Sequence, residues 1–404
     1  MQFYEDTTPW KLNGETVSVV DKNEHLGLIV SGLNEEQKNV DENIQKCRKS
    51  LFALLGPAYA FKCLLSPALL VHLWRTYNLP VLLSGLAALP LRPPNIRSLT
   101  LFHNKILRGF LRLSSSSPTA GLYFLLGELP IEARVHIDTL TLFHNIWASP
   151  ETTIHKLIKY ILKMSNTNST TWSNHLNLLC QKYDLPSPLL LMEKEPAWAK
   201  SAWKCLVETK VTVYFENQLR RQSTPAMNSK MKFLNVQLNG LSGRPHPAIQ
   251  NIFTTQDSKK LRLHLKFLTG DFLHAERLAL DQKNLSPACK LCSASVESTE
   301  HVLVTCSALS EVHQRLYPDL INTVASVQPS CKLLVTHTPA ILTQFILDCT
   351  SINLDNNFRI PAHNPNVHKI FTLARDWCYA VSNARTKQLT LLAKTKAKPQ
   401  LTID

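Results

Sequence analysis

Residues 35–57 read EEQKNVDENIQKCRKSLFALLGP. Val40, Ile44, Cys47, Leu51 and Leu54 recur at i, i+4, i+7, i+11 and i+14, which places them on one face of a helix with 3.6 residues per turn. Gly56-Pro57 is expected to close that helix. The same period returns downstream. Ser66-Pro67 offers an N-cap and a first-turn proline for a second helix through Leu69, Leu70, Leu73, Trp74 and Tyr77, ending before Pro80. Further helices are expected over 84–90, 95–112, about 119–127, 131–147 and 150–163. The fold class is therefore mainly α.

Upstream, the period changes. Glu15–Val20 alternates in character and HLGLIV at 25–30 is apolar, so a short N-terminal β-hairpin is expected, with Asp21–Glu24 between its strands. Residues 164–200 are polar and rich in turn formers, which predicts a loop-like stretch with a linker or domain boundary near 164–175, and a helix follows from Trp198 to about Arg221. Beyond 306 the candidates are a helical continuation at SALSEVHQRLY, then 317–326, 338–350 and 366–393.

Charge constrains the partner. The chain has 404 residues, 44 Lys plus Arg against 30 Asp plus Glu, and a formal net charge of +14, which favours an acidic polymer or surface. Much of the excess lies over 201–266, including Arg220, Arg221, Lys230, Lys232, Lys259, Lys260 and Arg262. Trp203, Tyr214, Phe215, Phe233 and Phe253 are interleaved with it, so this stretch is expected to track a phosphate backbone, with aromatics available to stack on bases. The alternative is a solvated basic face over a core that uses those aromatics.

MQFYEDTTPW lacks the basic start and apolar core of a signal peptide, and LPVLLSGLAALPL at 79–91 is shorter than the roughly 20 residues a membrane span needs. An intracellular, reducing environment in cytoplasm or nucleus is expected, with no membrane partner. There, clustered cysteines point to metal before disulfides. The cluster is CKLCSASVESTEHVLVTC at 289–306, which gives Cys289-x2-Cys292-x8-His301-x4-Cys306. Three thiols and an imidazole at this spacing suit a tetrahedral zinc with no position left for water, hence a structural ion. In an ideal helix, residues five apart diverge by about 140°. The helix must therefore bend or end between His301 and Cys306, or His313 must substitute as a ligand.

The longer run LKFLTGDFLHAERLALDQKNLSPACKLCSASVESTEHVLVTC resembles the zinc-knuckle region near the carboxyl end of non-LTR (LINE-type) retrotransposon reverse transcriptases. Thr269-Gly270, Cys289, Cys292, Thr299-Glu300-His301 and Cys306 fit that family's pattern. EHLGLIVSG resembles the end of the palm, where Leu26 and Gly27 occupy the Leu-Gly pair of the hairpin that grips the primer. KCRKSLFALLGPAY and the stretch to residue 91 resemble the helical thumb, and LTQFILDCTS, NFRIP and RDWCYAVSNAR the carboxyl-terminal tail.

The resemblance implies a palm-end hairpin at 1–34, a thumb-like region at 35–163, a linker and basic connector at 164–265, a zinc knuckle at 266–316 and a helical tail at 317–404. It also implies RNA or DNA as partner, together with the amino-terminal part of such an enzyme. Polymerase chemistry needs palm carboxylates around a metal pair. No two aspartates are adjacent here, and Asp6, Asp21 and Asp41 are isolated, so no catalytic residue is assigned. The expectation is a nucleic-acid-binding fragment without polymerase activity. The alternatives are a host protein-interaction module derived from such an element, or an inert truncated remnant.

Overall fold

The computed structural model describes residues 11–16, 20, 22–25, 27–60, 65–164, 171–194, 197–224, 229–238, 240–282, 284–327, 338–352 and 366–396. Two antiparallel hairpins open it: β1 (Lys11–Leu12) with β2 (Glu15–Thr16), and β3 (Lys22–His25) with β4 (Leu28–Ser31). The expected connector at 21–24 thus supplies a strand, paired from Lys22↔Ser31 to His25↔Leu28. All four residues of β3 are exposed, so no apolar alternation marks it. The chain reverses at Gly27, whose φ of +83° glycine adopts without steric cost. Leu26 lies outside the described residues.

β4 is held to α1 (Glu35–Ala60) by Lys38, whose Nζ donates to Ser31 Oγ, and by Asn39. Asn39 Oδ1 accepts from the Ile29 N–H and Nδ2 donates to the Ile29 carbonyl, both at 2.8 Å, so the amide stands in for a neighbouring strand. α1 buries Val40, Ile44 and Cys47, as the spacing predicts, but continues past Gly56-Pro57 to Ala60.

Ser66 Oγ accepts from the Leu69 N–H at 3.2 Å and caps α2 (Pro67–Leu73). The chain then continues where a stop was expected. A wide turn over Trp74–Asn78, closed by Leu79 N–H on the Trp74 carbonyl, leads into α3 (Leu79–Leu83). Pro80 sits in the first turn of α3, where a missing N–H costs little. Residues 84–90, expected to be helical, contain only a 3-10 turn at Leu86–Ala88. α4 (Pro93–Leu111), α5 (Thr119–Leu126), α6 (Ile131–Trp147) and α7 (Thr153–Met164) lie close to their expected spans.

The stretch expected to be loop-like holds two helices instead, α8 (Trp172–Lys182) and α9 (Pro188–Met192). Thr171 caps α8 by accepting from the Asn174 N–H, and Leu176, Leu179 and Cys180 supply a narrow buried stripe inside a polar composition. α10 (Lys200–Gln222) follows, burying Trp203, Val207, Val211, Phe215 and Leu219 at successive four-residue steps and packing extensively on α6.

The carboxyl-terminal part comprises α11 (Thr255–Leu268), α12 (Ala275–Asp281), α13 (Ser310–Val327), α14 (Pro339–Asp348) and α15 (Val367–Lys396). α13 runs through the helical stretch expected at SALSEVHQRLY and the one expected at 317–326 as a single helix, with Pro318 inside it. α15 is the spine on which α11, α13 and α14 pack.

Arg75 joins the helical region to the following segment, donating to the Gly243 carbonyl at 2.7 Å and the Gly127 carbonyl at 2.9 Å. It also pairs with the buried Glu128, which Arg134 holds from the other side at 3.1 Å. Gly127 is at φ +60°, and a Cβ there would meet the Arg244 carbonyl oxygen at 2.4 Å, so a side chain would force the two segments apart. Buried apolar residues form one continuous cluster from Val40 to Val381. No helix among the described residues is long and apolar enough to cross a membrane.

Candidate metal centre and basic cleft

The ligand-bearing segment starts with a tight turn. Ser293 N–H donates to the Cys289 carbonyl at 3.0 Å and Cys289 N–H to the Ala294 carbonyl at 2.9 Å, with Ser293 at φ +60°. This turn presents Cys289 and Cys292 on one side. The second pair comes from Ser298 onward, where Ser298 Oγ accepts from the His301 N–H at 3.1 Å.

The angular conflict between His301 and Cys306 is resolved by the backbone. Residues His301–Thr305 form a π-helical turn, in which Cys306 N–H donates to the His301 carbonyl at 2.8 Å. An i→i+5 turn returns residues five apart to one side, where an α-turn would separate them. His313 is not a ligand in this arrangement. Its Nε2 faces the Val302 carbonyl at 3.3 Å and its ring stacks on Trp377 with centroids 6.0 Å apart.

The ligand atoms of Cys289, Cys292, His301 and Cys306 all lie within 4.8 Å of one another. Cys289 Sγ and Cys306 Sγ are 4.0 Å apart, and Cys292 Sγ is 3.3 Å from His301 Nε2. A tetrahedral ion with metal–sulfur bonds near 2.3 Å sets ligand–ligand edges of about 3.8 Å, so the donor set fits such an ion. Burial pushes the Cys306 thiol up to about 12 and the Cys289 thiol upward too. Burial acts the same way on Cys292, but hydrogen bonds from the Ala294 N–H and from neighbouring side chains outweigh it and lower its pKa. Thiols this buried ionise together only against a cation. All four donors would be spent on the ion, which leaves no open position for a reacting water.

Surrounding groups fix the ligands. His301 Nδ1 lies 3.4 Å from Thr305 Oγ1, a partner that orients the ring with Nε2 toward the thiols. Glu297 Oε1 is 3.7 Å from Cys289 Sγ, and its carboxylate also accepts from the Ala275 N–H at 2.6 Å. Burial opposes the ionised form of Glu297, yet hydrogen bonds from Arg385 and Ala275 hold its pKa below the usual range. Trp377 Nε1 donates to the Leu303 carbonyl at 2.8 Å, tying α15 to the π-turn. Sequence reasoning missed Thr305, four residues from His301, and it missed Glu297, Arg385 and Trp377 because nothing local marks pairings across 74 and 88 residues.

The basic residues divide. Arg220, Arg221 and Lys232 line one cleft of about 590 Å³ between the end of α10 and residues 231–237, with Asn217 and Gln237. Arg220 is shared with Glu216 at 3.4 Å, Lys232 lies 4.8 Å over the Phe233 ring, and Arg221 is exposed. Lys230 is engaged elsewhere, with the Ser116 carbonyl at 3.0 Å and Asp271 at 3.4 Å. On α11, Lys259 and Arg262 are exposed three residues apart, whereas Lys260 pairs with Asp376 at 2.6 Å. Two of the expected stacking residues are core instead: Trp203 and Phe215 are buried, and Trp203 Nε1 donates to the Leu140 carbonyl at 2.9 Å. Phe253 is exposed.

The fold and the cluster define a mainly α chain carrying a Cys3His group at metal-ligating distances. No family model, curated protein or solved structure matches it.

Proposed function

We propose that the chain is a nucleic-acid-binding module, the carboxyl-terminal part of a non-LTR retrotransposon reverse transcriptase without polymerase carboxylates, with a structural zinc held by Cys289, Cys292, His301 and Cys306. The observation that carries this reading is the convergence of Arg220, Arg221 and Lys232 on one cleft. Exposed guanidinium and ammonium groups around a concave surface suit successive phosphates, and a net charge of +14 assists the approach of a polyanion. The zinc braces the carboxyl-terminal helices through the contacts of Glu297 and Trp377 and takes no part in chemistry.

Binding of a labelled single-stranded RNA, measured across a salt series, tests the reading. Each phosphate contact contributes about −0.7 to the slope of log K against log salt for a single strand. Arg221→Ala and Lys232→Ala should each flatten the slope by about that amount. Absence of salt-dependent binding, or nucleotide incorporation by the isolated chain, would overturn it.

A second reading, a protein-interaction module derived from such an element, rests on α7. Ile154, Leu157, Tyr160 and Met164 are each more than half exposed and share one face, opposite the buried His155 and Leu162. That reading is favoured if the chain binds no nucleic acid while Leu157→Glu disrupts a stable complex with a defined protein.

A further inference from the structure

The turn that leads into α11 carries the most exposed large apolar side chain among the described residues, Phe253, at 81%. Its backbone is fixed on both sides. Before it, Ile252 is buried, Asn251 adopts φ +54°, and the buried Arg375 donates to the Gln250 carbonyl at 2.9 Å. After it, Thr254 caps α11, and Asp257 Oδ2 accepts from the Phe253 N–H at 3.3 Å and from the Thr254 N–H at 3.0 Å. No aromatic ring or cation among the described residues covers the phenyl. A turn held this firmly keeps Ile252 in the core and presents the Phe253 ring to solvent.

The surface beside the ring is cationic. At 3.6 residues per turn, Lys259, Arg262 and Lys266 fall within about 60° on the outer face of α11, spread along about 10 Å of helix. The first two are exposed and the third is half-buried. No carboxylate among the described residues pairs with any of them, whereas Lys260, on the flank toward α15, is held by Asp376. On that flank the Tyr379 hydroxyl bonds the Gln256 and Asn383 side chains, which together with the charges of Lys259 and Lys260 hold its pKa below the usual range. Apart from Phe253, no large apolar side chain over residues 246–268 is exposed.

That isolation selects the partner. A protein-binding hot spot gathers several anchors in one desolvated patch, and a lone phenyl bordered by unpaired cations does not supply one. One free ring next to a row of positive charge is what a single strand needs, with a base stacked on the ring and phosphates along the row. We propose that Phe253 is a stacking platform for one base of a single-stranded nucleic acid, whose backbone then follows Lys259, Arg262 and Lys266 along α11. This rests on the nucleic-acid reading above and adds a base site to its phosphate cleft. Every base has a face to stack, so the platform favours unpaired strands over duplex without choosing a sequence.

The test uses fluorescence anisotropy with the full chain and two labelled strands of equal length, oligothymidylate and its abasic phosphodiester counterpart. Phe253→Ala and Phe253→Leu alter an exposed position, and their melting curves should match wild type. Each should weaken oligothymidylate binding about tenfold, while the abasic strand, which has nothing to stack, is bound as by wild type. The leucine variant separates stacking from apolar contact. Phe253→Trp should keep the preference for oligothymidylate, and its added emission should be quenched by oligothymidylate and not by the abasic strand. Lys259→Ala and Arg262→Ala should weaken both strands alike. Wild-type affinity for oligothymidylate in Phe253→Ala or Phe253→Leu, or an equal loss on both strands, overturns the platform and leaves the nucleic-acid reading standing. Binding of neither strand by wild type overturns both.

Discussion

The Arg385 guanidinium grips both carboxylate oxygens of Glu297, Nε to Oε1 at 2.9 Å and Nη2 to Oε2 at 2.9 Å. This fork fastens α15 to the loop between the two ligand pairs. Both side chains are largely buried, and Glu297 lies against Cys289 Sγ, so the guanidinium is what makes a carboxylate tolerable in this buried position.

Arg385→Ala should therefore cost about 3 kcal/mol in denaturant unfolding, because it leaves a buried carboxylate unpaired. Arg385→Lys should recover only part of the loss, since an ammonium cannot make the two-pronged contact. Adding Glu297→Gln to Arg385→Ala should restore stability toward wild type. An Arg385→Ala protein as stable as wild type would contradict the arrangement.

Acid should destabilise the fold through two buried imidazoles. His103 stacks on Trp74 with centroids 5.6 Å apart, and neither of its ring nitrogens has a hydrogen-bond partner among the described residues. His264 Nε2 donates to the Leu347 carbonyl at 2.9 Å. Burial lowers both from the ordinary 6.5 to about 4. Between those values the unfolded chain binds protons that the folded chain excludes, so stability is complete above pH 6.5 and is lost as pH falls toward 4. The loss should approach about 3 kcal/mol per histidine. Urea midpoints at pH 7, 5.5 and 4.5 measure it, and His103→Phe should make the dependence shallower by one proton. A midpoint unchanged over that range would contradict the burial of these rings as neutral groups.

Ser293→Gly should stabilise the protein by about 0.5–1 kcal/mol, because Ser293 occupies the left-handed region that glycine enters freely. Ser293→Val should destabilise it, since a β-branched side chain is poorly accommodated there. Thermal melts of the two variants moving in the same direction would argue against the turn between Cys289 and Ala294.

The helices were legible where two signals coincided. In α1, α4, α6 and α10, apolar residues recur with the helical period over long spans, and Ser66-Pro67 marks the start of α2 by its own chemistry. Where only one signal exists, reading fails. α8 buries a narrow stripe within a polar run, and β3 buries nothing. The ligands of the candidate centre were legible from spacing alone, as a two-residue gap permits one turn to present two thiols. The turn that reconciles His301 with Cys306 was not, because apolar periodicity cannot distinguish an i→i+5 turn from an interrupted α-helix. Nor could charge density separate Arg221, exposed in a cleft, from Lys230, engaged by Asp271.

Metal content is the most direct measurement of the account. Protein purified under reducing conditions and analysed for elemental zinc should contain one equivalent per chain. Cys289→Ser, Cys306→Ser and His301→Ala should each lose it, and stripping the ion with a chelator should lower the melting temperature and change the fluorescence of Trp377, whose N–H is bonded to the π-turn. Reduced protein without bound metal, melting at the same temperature before and after chelation, would contradict a structural zinc at this cluster.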